Sequence, residues 1–167
     1  SAPDKLVACA KHYVGYGTAE GGRDYDAGEV SEPTLRDIYL PPFESAIKSG
    51  VGTVMSAFLD LNGVPASGNR RLLTDVLRGE WGFDGFVVSD WDSVLELVNH
   101  GVAEDAPHAG AIALHAGVDM DMVSNTYINT LAASLQSGKV SQDDIDEAVR
   151  RILRIKIRAG LFDQPFT

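Results

Sequence analysis

The sequence predicts an α/β fold built on a parallel sheet, and three observations point there. Four short apolar segments recur: Leu6–Ala10, Val51–Phe58, Gly85–Ser89 and Ala116–Met122. Helical stretches separate them, so each strand-plus-helix unit has about the 30-residue length of a βαβ motif. The third segment, Gly85-Phe86-Val87-Val88-Ser89, is an almost unbroken β-branched run that ends at Asp90-Trp91. A strand covered on both faces by helices reads this way, whereas a half-solvated strand alternates.

The helices follow in order. Ser31 is placed to cap a helix through Leu35, Ile38, Tyr39 and Leu40, with Pro33 tolerated in its first turn. Pro41-Pro42 interrupts it, and a further helical stretch from Phe43 to Lys48 stops at Ser49-Gly50. Asn69 to Arg78 reads as a helix with Leu72, Leu73, Val76 and Leu77 on one face. Val94–Asn99 and Ala106–His115 follow the third strand. Ser141 and Asp144 have capping-box spacing and open the last helix, which carries Ile145, Val149, Ile152, Leu153 and Ile155 towards Gly160. Arg150, Arg151, Arg154, Lys156 and Arg158 gather near its C-terminal end, where the helix dipole favours cations.

At 167 residues the chain has one domain's worth of length and can bury a sizeable core. A net charge of −10 argues against nucleic acid as a partner. No apolar run approaches the roughly 20 residues that span a bilayer, so no membrane role is expected. The single cysteine, Cys9, sits in an apolar run and is expected to be a buried small hydrophobe. No signal peptide is read here; the chain starts Ser-Ala-Pro and runs almost at once into a strand, so its start is expected to be a cut one. Gly15, Gly17, Gly21 and Gly22 lack the spacing of a dinucleotide-binding loop, and neither a cofactor nor a metal is expected.

Parallel α/β folds place their chemistry at the C-terminal ends of their strands. Asp90 is therefore an acid at the mouth of the sheet, or else the cap of the next helix. Lys11 and His12 end the first segment and Asp119 and Asp121 the fourth; at most one of the latter two is expected to face the interior.

Several motifs, taken in order, resemble glycoside hydrolase family 3. They are Ala10-Lys11-His12-Tyr13-Val14-Gly15-Tyr16-Gly17, Glu20-Gly21-Gly22-Arg23-Asp24-Tyr25, Tyr39-Leu40-Pro41-Pro42-Phe43, and Val54-Met55-Ser56-Ala57-Phe58 with Asn62-Gly63-Val64-Pro65-Ala66. Leu77-Arg78-Gly79-Glu80-Trp81-Gly82-Phe83, Val87-Val88-Ser89-Asp90-Trp91 and Gly160-Leu161-Phe162-Asp163-Gln164-Pro165-Phe166 complete the set. The resemblance covers essentially the whole chain and is nearest to the bacterial β-glucosidase branch.

It implies that residues 1–167 are a (βα)4 half of a TIM-type (β/α)8 barrel, strands five to eight, with the first barrel half and a second domain absent. It also implies a retaining exo-acting β-glucosidase releasing terminal β-D-glucosyl residues, with Asp90 as nucleophile. Lys11, His12, Met55, Phe58 and Trp91 would bind the sugar. Implied partners are a β-glucoside or oligosaccharide and the missing barrel half or a second copy of the chain; the implied location is periplasmic or secreted. Two positions depart from the family pattern: Phe58 stands where Tyr is frequent, and Leu59 where Asn is usual. The loop from Tyr13 to Tyr25 holds no histidine, unlike the N-acetylhexosaminidase branch, so the general acid is expected from a Glu outside this chain; Glu20, in a Gly-rich loop, is a poor candidate. A non-catalytic half-barrel module and a sugar-binding remnant are the competing readings, and an isolated half-barrel is expected to be a weak hydrolase at best.

Overall fold

The four apolar segments come together in one parallel layer in chain order. The computed structural model describes residues 6–165, so Phe166 of the closing motif lies outside it. Strands β1 (Cys9–Tyr13), β3 (Thr53–Ser56) and β6 (Phe86–Val88) pair in parallel in the order β1-β3-β6. The fourth segment is less regular than its composition suggests and joins the layer through a single parallel bridge, Val88 to Met120. Its neighbour Asp119 turns its carboxylate back onto the Val87 N–H, at 2.8 Å, which takes up a donor that a continued ladder would use. Close approach requires glycine where β6 begins: a Cβ on Gly85 would lie 2.1 Å from the Gly52 carbonyl.

The helices cover one side of this layer. Ser31 caps α1 (Glu32–Thr34) by accepting the Thr34 N–H. The chain then widens to i→i+5 bonding over Leu35–Tyr39. That wide turn delivers Pro41 and Pro42 to the first turn of α2 (Pro41–Lys48), where a missing N–H costs nothing. A second wide helix, Arg71–Glu80, buries Leu72, Leu73, Val76 and Leu77. Next come α3 (Glu96–Asn99) and α4 (Ala106–Ala116), the latter capped by Asp105 and ended by Gly117 at φ 113°. In α6 (Gln142–Arg158) both halves of the capping box form between Ser141 and Asp144. The main core lies between sheet and helices and includes Tyr13, Leu35, Val54, Leu73, Leu77, Val87 and Leu97.

Three features depart from the expectations. Helix α5 (Thr126–Gln136) was not anticipated, because its β-branched and hydroxyl residues have modest helix propensity. It buries Thr126, Thr130 and Ser134, a small-residue stripe at i, i+4 and i+8. Gly110 of α4 receives it, so closely that a Cβ there would stand 3.1 Å from Thr130 Oγ1. Secondly, a small sheet forms outside the four apolar segments: β2 (Ala27–Gly28) pairs in parallel with β4 (Asp60–Leu61), which pairs antiparallel with β5 (Val64–Pro65). Thirdly, Cys9 is exposed rather than buried, because its strand stands at the edge of the described layer. No helix among the described residues is long and apolar enough to cross a membrane.

Candidate active site

An irregularity in β1 prepares the site. Ala10 pairs with Val54 and Tyr13 with Ser56, so three steps on β1 match two on β3. The extra residue is a bulge. It lets both Ala10 and Tyr13 pack on the helix-side core, and Tyr13 donates its hydroxyl to the Leu72 carbonyl at 2.9 Å. Lys11 and His12, consecutive in sequence, are both left out of that core.

His12 reaches the Asp90 carboxylate, its Nε2 standing 3.5 Å from Oδ2. Asp90 is 8 % exposed. Its two oxygens differ: Oδ1 accepts the Trp91 N–H at 2.7 Å, whereas Oδ2 is buried and has no hydrogen-bond partner among the described residues. A carboxylate locked through one oxygen and unengaged at the other is aimed at something outside this set of residues, since a buried acceptor ordinarily finds a donor. In structural terms Asp90 does not cap a helix: among the described residues its side chain accepts only the adjacent N–H.

Aromatic rings enclose His12. Tyr16 meets it edge-on at 4.9 Å and Phe58 lies 6.0 Å away. Phe58 in turn stacks on Tyr25 at 4.5 Å, and the Tyr25 hydroxyl donates to the Trp91 carbonyl at 2.8 Å. Burial, and then the nearby Asp90 carboxylate, raise the Tyr25 pKa and keep that donor protonated. The loop after β1 is thereby fastened to the turn that carries Asp90. Trp91 itself is 60 % exposed. An exposed indole beside a buried carboxylate offers a flat apolar face to a ligand.

Of the six residues selected from the sequence, His12, Phe58, Asp90 and Trp91 come together. Met55 is half-buried on β3, where it pairs with Val88 two residues before Asp90. Lys11 is exposed, and its side chain makes no hydrogen bond or ion pair among the described residues. Tyr16 and Tyr25 were missed as separate site residues; the available signal was two aromatics in a Gly-rich loop directly after a strand. Asp119 and Asp121 are both taken by structural partners. Asp119 pairs with Arg78 at 2.6 Å and Arg151 at 2.9 Å, and Asp121 accepts the Ser124 hydroxyl and the Tyr127 N–H near the start of α5. Among the described residues no group of three or more His, Cys, Asp or Glu is gathered to hold a metal.

The model of the glycosyl hydrolase family 3 N-terminal domain matches residues 3–155. The chain belongs to glycoside hydrolase family 3. It is 41 % identical over 162 residues to a periplasmic β-glucosidase of Salmonella typhimurium, covering 97 % of this chain and 21 % of that protein. A β-xylosidase of Formosa agariphila is 43 % identical over 167 residues, with 95 % and 23 % covered. In three dimensions the β-glucosidase of Listeria innocua in complex with glucose matches with a TM-score of 0.94 at 42 % identity, over 96 % of this chain and 22 % of that one. The chain therefore spans about a fifth of the length of these family 3 relatives. Its α/β fold is the TIM-barrel-like half domain seen in such neighbours.

Proposed function

We propose that this family 3 chain forms the nucleophile-bearing half of the barrel in a longer, retaining β-glucosidase, with Asp90 as nucleophile. The observation that carries the proposal is the asymmetry of the Asp90 carboxylate: Oδ1 is fixed by the Trp91 N–H and the buried Oδ2 is unengaged beside His12. Retention requires a carboxylate that attacks the anomeric carbon and an acid about 5–5.5 Å away that protonates the leaving oxygen. Asp90 Oδ2 forms the bond to the anomeric carbon as the glycosidic bond breaks. The leaving oxygen takes its proton from an acid contributed outside this chain. Water, deprotonated by the same group, then attacks the anomeric carbon, releases glucose and frees Asp90.

In this reading His12 binds a sugar hydroxyl beside the reacting carbon and Trp91 supports a pyranose face; Phe58 and Met55 form the apolar wall, and Lys11 adds positive charge at the rim. The acid is expected from a Glu of a second domain outside this chain, so a poor hydrolase is expected until the remaining barrel half and that domain complete the site. The periplasmic relative favours a periplasmic or secreted location. Mechanism-based trapping tests the reading. A 2-deoxy-2-fluoro-β-glucoside with an activated aryl leaving group should label Asp90 in the full-length enzyme, seen by peptide mass spectrometry. Asp90→Ala should lower turnover by several orders of magnitude; turnover within about tenfold of wild type would exclude Asp90 as nucleophile.

A further inference from the structure

The Asp90 carboxylate is aimed only as well as the peptide that carries it, and hydroxyls grip the Asp90 carbonyl from both sides. Ser89 Oγ donates to it at 3.0 Å while accepting the Met122 N–H at 2.8 Å, which ties the turn to the fourth segment. Ser93 Oγ donates to it at 3.1 Å. From Ser93 a line of hydroxyls runs to β3: Ser93 Oγ lies 2.8 Å from Ser67 Oγ, and Ser67 Oγ lies 2.8 Å from Ser56 Oγ. Ser93, Ser67 and Ser56 are 3 %, 1 % and 0 % exposed. Ser67 sits in the turn Ala66–Gly68, where a Cβ on Gly68 would come within 3.2 Å of Leu97 and 3.3 Å of Ile112, so its base has little room to move.

Proton counting sets the direction of this line. Each hydroxyl has one proton to give. Ser93 gives its proton to the Asp90 carbonyl, so it must accept from Ser67, and Ser67 must accept from Ser56. Read that way, all three donors are satisfied and none of these oxygens is orphaned. The reverse order would still leave the Asp90 carbonyl the Ser89 hydroxyl and the Ser93 N–H, 3.2 Å away, but it would leave Ser56 a buried proton with no acceptor among the described residues. The other acceptor near Ser67, the Ala57 carbonyl, is 3.5 Å away, at the limit of a hydrogen bond. Aligned hydroxyls polarise one another, so each link strengthens its neighbours.

We infer that Ser56, Ser67 and Ser93 form a directed hydroxyl chain that positions Asp90, with Ser67 as the link on which it depends. The inference rests on Asp90 being the nucleophile. These serines are positioning residues: they act on the Asp90 peptide and not on the sugar.

The test is the trapping rate of the full-length enzyme with the activated 2-deoxy-2-fluoro-glucoside, which reads nucleophilic attack with little need for an acid. Ser67→Ala removes the middle link and should slow trapping about ten- to a hundredfold while leaving KM close to wild type; the buried Ser56 proton it strands lowers the thermal midpoint, so trapping is read well below the variant's own unfolding transition. Ser56→Ala deletes an equally buried oxygen of the same size but leaves the two downstream bonds intact, and should change trapping by less than about threefold. That ordering separates a directed chain from loss of packing, which would penalise both alike. Should Ser67→Ala fold poorly, Ser93→Ala cuts the final link and carries the same expectation. Equal effects of Ser56→Ala and Ser67→Ala, or trapping by a folded Ser67→Ala within about threefold of wild type, would overturn the inference. The labelled peptide is read from the same samples: a label away from Asp90 would instead overturn the nucleophile assignment and take this inference with it.

Discussion

His12 Nε2 stands 3.5 Å from Asp90 Oδ2, the carboxylate oxygen that no donor satisfies. The two residues are far apart in sequence and meet because β1 and β6 end on the same side of a parallel layer, with β3 between them. The bulge in β1 frees His12 from the helix-side core, and the Tyr16 and Phe58 rings hold the imidazole in place.

His12→Ala should lower kcat/KM for a β-glucoside in the full-length enzyme by about ten- to a hundredfold, the value of one hydrogen bond to a charged or strongly polarised group. Steady-state kinetics check it. A change below about threefold would mean that His12 serves packing among the aromatic rings rather than the sugar.

Asp119 is the buried centre of a structural network. It accepts from Arg78, Arg151 and the Val87 N–H, and Arg78 also donates to the Gly85 carbonyl at 2.9 Å. Asp119→Ala would strand a largely buried guanidinium and an unpaired strand N–H. It should destabilise the fold by about 3–5 kcal/mol, measured by chemical denaturation. A loss below about 1 kcal/mol would show that the network is replaceable by solvent.

Val123 has φ 71°, a left-handed conformation that a β-branched side chain tolerates poorly. Its side chain is half exposed, so little packing is lost by changing it. Val123→Asn should raise stability by about 0.5–1 kcal/mol by relieving that strain. The same denaturation measurement decides it, and a destabilised Val123→Asn variant would contradict the assignment of strain there.

The Ser141 hydroxyl and backbone hold the Asp144 carboxyl below its usual range, and a hydrogen bond from Arg158 does the same for Asp84. A depressed carboxyl contributes stability above its unfolded pKa and loses it as pH falls through the folded value. Stability should therefore decline as pH drops below about 4. Asp144→Asn should cost about 1 kcal/mol at neutral pH and flatten that decline, as titrated by denaturation at pH 7, 4 and 3. An equal slope in wild type and variant would show that Asp144 does not contribute to it.

The sequence alone determined the alternation of strands and helices, the capped starts at Ser31 and Ser141, the buried face of Leu72, Leu73, Val76 and Leu77, and Asp90 at a strand end. These are local properties: periodicity, capping and β-branched runs depend on neighbours a few residues apart. The ordered motifs also carried the family. Tertiary structure alone decided the rest. The orphaned Asp90 Oδ2, the Tyr25 bond to the Trp91 carbonyl and the Ser56–Ser67–Ser93 line join residues from different loops, and no spacing along the chain encodes such meetings. Helix α5 was hidden for a related reason. Its Thr126, Thr130 and Ser134 stripe is unremarkable for an isolated helix and becomes a packing surface only against Gly110 of α4. The fourth strand shrank to one bridge because Asp119 satisfies the Val87 N–H with its side chain, a competition between side chain and backbone visible only once the two are brought together.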